Sequence, residues 1–132
     1  MKTYRLKLKP DSDLKKSIEE FGKEIKTDGF ILGIVGDLSD AVFQCPNQKE
    51  VTSLKGTLEI ITLNGTLSPS KVHLHLSLSD ASCNVFGGHL ENGTITLKGA
   101  DILIGIFCLC YCEIRDDKAS RNLLKLAGID GY

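Results

Sequence analysis

All three histidines of the chain lie between positions 73 and 89. His73 and His75 are two residues apart in a segment where hydrophobic and polar residues alternate, so on a strand both imidazoles leave the same face. His89 follows Gly87 and Gly88, where the backbone can turn tightly and approach a neighbour closely, so that a third imidazole can return to the first two. Three imidazoles with one open coordination position are a set that zinc uses to bind water or a ligand. The sequence therefore indicates a metal site on these three histidines.

A simpler interpretation stays open from the pattern alone, because His73 and His75 can also line the polar face of a strand while His89 occupies a turn. A metal site needs polar groups that orient the imidazole rings, and Ser77 and Asp80 are close enough in sequence to serve. Asp80 is equally a turn former. Glu59, a carboxylate on an apolar strand, is either an edge or interface charge or a general base beside a metal-bound water.

The elements that must position these residues follow from hydrophobic spacing. Leu14, Ile18, Phe21 and Ile25 recur at intervals of four, three and four, which predicts an amphipathic helix over 13–27. The remainder favours strands, with Asn-Gly turns expected at 64–65 and 92–93, a turn at 98–99 and a short helix over 116–126. Strands are expected at 3–9, 30–35, 37–44, 54–63, 66–67, 72–79, 94–97 and 100–113.

This order of elements predicts an α+β fold, a mainly antiparallel sheet of about seven strands flanked by one or two helices, in a single domain over residues 1–132. Cys108, Cys110 and Cys112 would project from one face of the last strand. We interpret them as small hydrophobic residues, because the C-x₂-C spacing typical of metal-binding loops is absent there.

Composition excludes several classes of function. The net charge of −1 argues against binding nucleic acid by bulk electrostatics, and the absence of Trp argues against base-stacking surfaces. The basic N-terminus is not followed by the apolar segment of a signal peptide, and no apolar stretch approaches the ~20 residues that span a bilayer. We therefore expect a cytoplasmic protein with no membrane partner, whose five cysteines are reduced thiols.

Two segments together carry a family resemblance. The first is Val72-His73-Leu74-His75-Leu76-Ser77-Leu78-Ser79-Asp80, and the second is Val85-Phe86-Gly87-Gly88-His89-Leu90. They resemble the signature of the PPC (plant and prokaryote conserved) domain, and residues 56–67 resemble its strand–turn segment.

The resemblance implies a compact α+β fold with an antiparallel sheet, assembled as a homotrimer. It also implies a metal on the signature histidines of some stand-alone members, which map onto His73, His75 and His89, with zinc the natural choice for three imidazoles. Plant members bind AT-rich DNA through AT-hooks, but this chain contains no Arg-Gly-Arg-Pro hook, so we expect weak DNA binding at most.

The leading functional prediction is a non-enzymatic binding or regulatory module. The family's association with DNA gives this module a label more than a mechanism. A metal-dependent hydrolase or lyase is the first alternative, since a three-histidine site leaves a coordination position open. A sensor that binds a small ligand at the metal, in a cleft between subunits, is the second.

Overall fold

The computed structural model describes residues 1–106 of the chain. This part contains one helix and six strands, which confirms the predicted α+β class with an antiparallel sheet. In chain order the elements are β1 (Lys2–Leu8), α1 (Leu14–Ile25), β2 (Gly29–Gln44), β3 (Val51–Leu67), β4 (Val72–Ser79), β5 (Val85–Leu90) and β6 (Ile95–Ile106).

The six strands form one antiparallel sheet in the order β1-β6-β2-β3-β4-β5. The sheet curls until the end of β2 also pairs with β5, where Phe43 lies opposite Leu90 and Gln44 lies opposite His89. The strands direct alternate residues into one apolar core, which also receives Leu14 and Ile18 of α1 at 0% exposure. This closure holds β4 and β5 against the rest of the sheet.

The helix is positioned by its first residues. The Asp13 carboxylate accepts a hydrogen bond from the backbone N–H of Lys16 (3.1 Å) and caps the helix N-terminus. The other carboxylate oxygen of Asp13 accepts the N–H of Gly93 at 2.8 Å. One side chain therefore ties the start of α1 to the turn at 92–93, which the Asn-Gly signal correctly predicted.

Three long strands replace pairs of shorter strands that the sequence predicts. β2 runs unbroken through Gly36, β6 runs through the turn expected at 98–99, and β3 runs through the turn expected at 64–65. A Cβ at Gly65 would lie 1.9 Å from the carbonyl oxygen of His73, and the φ of Gly65 is +142°. Glycine at position 65 therefore permits close approach of β3 to β4, so the predicted hairpin turn at that position is wrong.

Some predicted features lie outside the described residues, namely the end of the last strand with Cys108, Cys110 and Cys112 and the helix over 116–126. Within residues 1–106, Cys45 and Cys83 are free thiols. None of the helices described in this range is long and apolar enough to span a membrane.

Candidate metal centre

Strand β4 presents two of the three histidines. Its core-facing residues Leu74, Leu76 and Leu78 are 3%, 2% and 0% exposed, whereas His73 and His75 lie exposed on the opposite face. The alternation seen in the sequence therefore matches the structure residue for residue, and the burial of the leucines fixes the direction of both imidazoles.

Strand β5 supplies the third histidine, although the sequence also allows a turn at Gly87 and Gly88. These glycines lie inside the strand, and the register places His89 directly opposite His75 on β4. A Cβ at Gly87 would lie 2.4 Å from the carbonyl oxygen of Leu76 on β4, and one at Gly88 would lie 2.4 Å from that of Gln44 on β2. The glycine pair therefore lets β5 fit tightly between its two neighbours and carries His89 to the cluster.

The ring nitrogens of the three histidines converge. One ligand atom from each of them lies within 4.8 Å of the others, and the Nε2 atoms of His73 and His75 are 3.2 Å apart. Ring centroids are separated by 4.7–5.3 Å. Tetrahedral zinc with Zn–N bonds of 2.0–2.1 Å requires nitrogens about 3.3 Å apart. The pair on β4 already has that separation, and His89 brings a third nitrogen within 4.8 Å of both, so the residue types and their grouping suit a small tetrahedral ion.

A cavity of about 410 Å³, open on its solvent side, lies over the cluster. It is lined by the three histidines together with Pro46, Leu76, Gly87 and Gly88. Apart from the imidazoles, this lining carries no titratable side chain among the described residues. The cavity therefore offers nitrogen ligands and an apolar surface, with room for a small molecule.

The other predicted site residues lie outside this lining. The Ser77 hydroxyl shares a 2.7 Å hydrogen bond with the Thr62 hydroxyl of β3. Glu59 is exposed on β3, opposite Ser79.

Asp80 begins the turn between β4 and β5. Its Oδ1 accepts the N–H groups of Ser82 and Asn84 at 2.9 Å each, and its Oδ2 accepts the Asn84 amide at 3.0 Å. These bonds, led by the Asn84 amide, lower the pKa of Asp80 below its usual range. The carboxylate thus shapes the hairpin that aligns β5 with β4.

Two residues next to the cluster were missed by the sequence reasoning. The register places Asn64 of β3 opposite His75 and Thr66 opposite His73, and both side chains are exposed. The sequence predicts a turn at Asn64 because Asn-Gly is a hairpin signal. Its place beside the histidines depends on the register of β3 against β4, for which a single sequence contains no local signal.

The described residues define a class of protein: a small antiparallel α+β domain with three histidines gathered on one face of its sheet. The family model of the Plants and Prokaryotes Conserved (PCC) domain matches residues 1–108, and the chain belongs to this family. The resemblance to the PPC domain found in the sequence is thereby confirmed.

Several known proteins are similar to the chain. The Bifunctional protein GlmU of Synechococcus sp. (strain JA-3-3Ab) is 39% identical over 105 residues. That match covers 79% of this chain but only 17% of the relative, so the chain corresponds to a small part of a much longer protein.

Solved structures share the fold. A hypothetical protein from Salmonella enterica has 33% identity and a TM-score of 0.78, with 80% of this chain and 78% of that chain covered. A plant- and prokaryote-conserved (PPC) protein from Pyrococcus horikoshii has 28% identity and a TM-score of 0.69, with 91% and 88% covered. A metal-containing protein from Archaeoglobus fulgidus has 27% identity and a TM-score of 0.65, with 79% and 78% covered.

Proposed function

We propose that the chain is a metal-binding PCC domain that holds one zinc ion on His73, His75 and His89 and acts as a binding or regulatory module. The observation that carries the proposal is the convergence of three imidazoles from two paired strands, with ligand atoms all within 4.8 Å. Bound zinc would supply a Lewis-acid centre with one position open toward the cavity.

The chemistry of the donor set supports zinc. Neutral imidazole is a good ligand for zinc and other borderline metals, whereas magnesium and calcium prefer oxygen ligands. The 3.2 Å separation of the His73 and His75 nitrogens suits a tetrahedral ion. Similarity to the metal-containing protein from Archaeoglobus fulgidus supports metal binding without specifying the metal.

A binding role is favoured over catalysis by the surroundings of the cluster. Among the described lining residues, no carboxylate, lysine or cysteine is available to transfer a proton to a substrate. The curated relatives match this chain over only 17% of their length, which is the expected pattern for a module joined to other activities.

We also propose the homotrimer that the family resemblance implies. Its support is an apolar patch on the outer face of the sheet, where Leu32 of β2 and Leu103 of β6 are 45% and 44% exposed. An exposed patch of large hydrophobic side chains is typical of a protein interface. A second copy of this chain is its proposed occupant: in a cyclic trimer the patch of each subunit packs against a different surface of the next, so every copy of the patch is buried.

DNA binding is expected to be weak at most. The chain has a net charge of −1, and affinity for DNA depends on neutralised phosphates. Among the N-terminal cations, the Arg5 guanidinium is already paired with the Asp101 carboxylate (Nε to Oδ1 2.8 Å), which lowers the pKa of Asp101. The proposed role therefore rests on the metal site.

Elemental analysis tests the proposal. Protein purified without chelator should contain about one zinc per chain, and His75→Ala should lose it. Ser77→Ala is the matched control, since Ser77 follows His75 on the same strand face and bonds to Thr62 instead of the cluster. A native protein that carries no metal and takes up none from zinc, cobalt or nickel solutions would overturn the proposal.

A further inference from the structure

The histidine cluster contains no negatively charged ligand that would offset the charge of a bound metal ion. Its three imidazoles are neutral ligands when they bind a metal, so a divalent ion on them keeps its full charge of +2. The described lining of the cavity contains no carboxylate that could offset this charge. The open position of a divalent ion on these histidines is therefore available to water or to an anion from solution, and only an anion offsets the charge.

The carboxylates nearest to the histidines in sequence either bond to other residues or lie several residues farther along their strands. Asp80 lies five residues beyond His75, about 17 Å at the rise of a strand, and its oxygens accept bonds within the turn. Glu59 lies five residues before Asn64 on β3. Glu91, two residues after His89, is paired with Lys15 at 2.8 Å. The adjacent turn contains the opposite charges Lys49 and Glu50, neither of which lines the cavity.

A neutral hydrogen-bonding group stands beside the cluster instead. Asn64 is the cross-strand partner of His75, on the same exposed face. Side chains of such pairs have Cβ atoms about 4.5–5.5 Å apart, so Asn64 stands next to His75, although it is not among the residues that line the cavity. Its side chain has no hydrogen-bond partner among the described residues, which leaves the N–H donors available.

The cavity restricts the body of the ligand. Pro46, Gly87 and Gly88 present apolar surface around the histidines, and the volume is about 410 Å³. No Lys or Arg side chain in the described lining is placed to bind the several charges of a phosphate. A carboxylate needs one metal position and one amide donor for its two oxygens, and a short alkyl chain suits the apolar wall.

We propose that this site recognises a small organic monocarboxylate, with one oxygen on the metal, the other accepting a hydrogen bond from Asn64, and the alkyl body against Pro46 and the glycine pair. The inference rests on the proposed metal site. Asn64 is then the residue that selects an anionic oxygen ligand, because it donates hydrogen bonds and adds no charge of its own.

Calorimetric titration of the zinc-loaded protein tests this assignment, with butanoate as the probe and butanamide as its neutral counterpart. Butanoate should bind at least tenfold more tightly than butanamide and than inorganic phosphate, and metal-free protein should bind none of them. A cobalt-loaded sample should change its visible absorption spectrum with butanoate alone. Equal binding of butanoate and butanamide, or tighter binding of phosphate, would overturn the inference.

Substitutions at Asn64 separate ligand recognition from structural damage. Asn64→Ala removes the donor and should weaken butanoate binding several-fold, while Asn64→Asp adds a competing charge and should weaken it more than tenfold. Zinc affinity should be unchanged in Asn64→Ala and equal or higher in Asn64→Asp, because a carboxylate attracts the ion. Asn92→Asp makes the same chemical change in the turn at 92–93, at a residue that does not line the cavity, and should leave both affinities unchanged.

The two proposals fail in different ways. If the wild-type protein takes up no metal, the proposed function fails. If it holds zinc but butanoate affinity is the same in wild type and Asn64→Asp, the metal site stands and the carboxylate inference is wrong.

Discussion

Gly87→Ala is a direct test of how the sheet builds the histidine cluster. An added Cβ would lie 2.4 Å from the carbonyl oxygen of Leu76, a backbone atom of β4 that cannot rotate away. Ordinary contact begins at 3.4 Å, so β5 must move away from β4 by about 1 Å. His89 lies on β5, whereas His73 and His75 lie on β4. The substitution therefore separates the third ligand from the other two.

The expected loss of zinc affinity follows from the narrow range of metal–ligand distances that zinc accepts. Metal–ligand distances hold to within about 0.2 Å, so a shift of about 1 Å should weaken zinc binding by roughly 100-fold. Overpacking costs about 1–3 kcal/mol of unfolding free energy, which for a chain of this length lowers the melting temperature by about 4 °C per kcal/mol.

Zinc titration and thermal unfolding of the metal-free protein measure these two effects. Gly33→Ala is the matched control, because a Cβ at Gly33 meets nothing within 4 Å. If Gly87→Ala matched Gly33→Ala in both zinc affinity and melting temperature, the close packing of β5 on β4 would not be what aligns the cluster.

Three further predictions concern stability and assembly. Zinc at 100 times its Kd should raise the unfolding free energy of the wild type by about 2.7 kcal/mol and that of His75→Ala by none, as measured by denaturant titration. The pKa of Asp80 is lower in the folded protein than in the unfolded chain, so the ionised carboxylate stabilises the fold above the unfolded pKa, and this stabilisation is lost as pH falls through the folded pKa. Asp80→Ala should therefore have a lower melting temperature than wild type at pH 7, and the difference should vanish in acid. Leu32→Glu should convert a trimer to 14.4 kDa monomers in light scattering, whereas Val51→Glu, at an exposed position outside the patch, should leave the trimer intact.

The sequence correctly predicts the strands, helix and buried faces that depend on a local pattern of residues. The alternation from Val72 to Ser79 fixed the strand, its buried face and the direction of two histidines, and the spacing from Leu14 to Ile25 fixed the helix to within two residues at its ends. The identity of the three histidines as a set was also accessible, because their clustering and the family signature agree.

Long-range register accounts for the errors. The sequence predicts a turn at Gly65 because Asn-Gly is a hairpin signal, and a tight turn or a close approach at Gly87 and Gly88. Each of the three glycines lies inside a strand, where another strand's carbonyl group approaches. Such contacts depend on which strands pair and in what register, so a single sequence does not show them. Asn64 was missed for the same reason, although its pairing with His75 places it beside the cluster.

The central claim is that one metal ion is held by His73, His75 and His89 together. Diffraction data collected on both sides of the zinc absorption edge, from crystals of the zinc-loaded protein, test it most directly. The account predicts one anomalous peak per chain, about 2.0–2.1 Å from a ring nitrogen of each of the three histidines, with its remaining position facing the cavity. A peak bound elsewhere, or no peak at the cluster in zinc-loaded crystals, would contradict it.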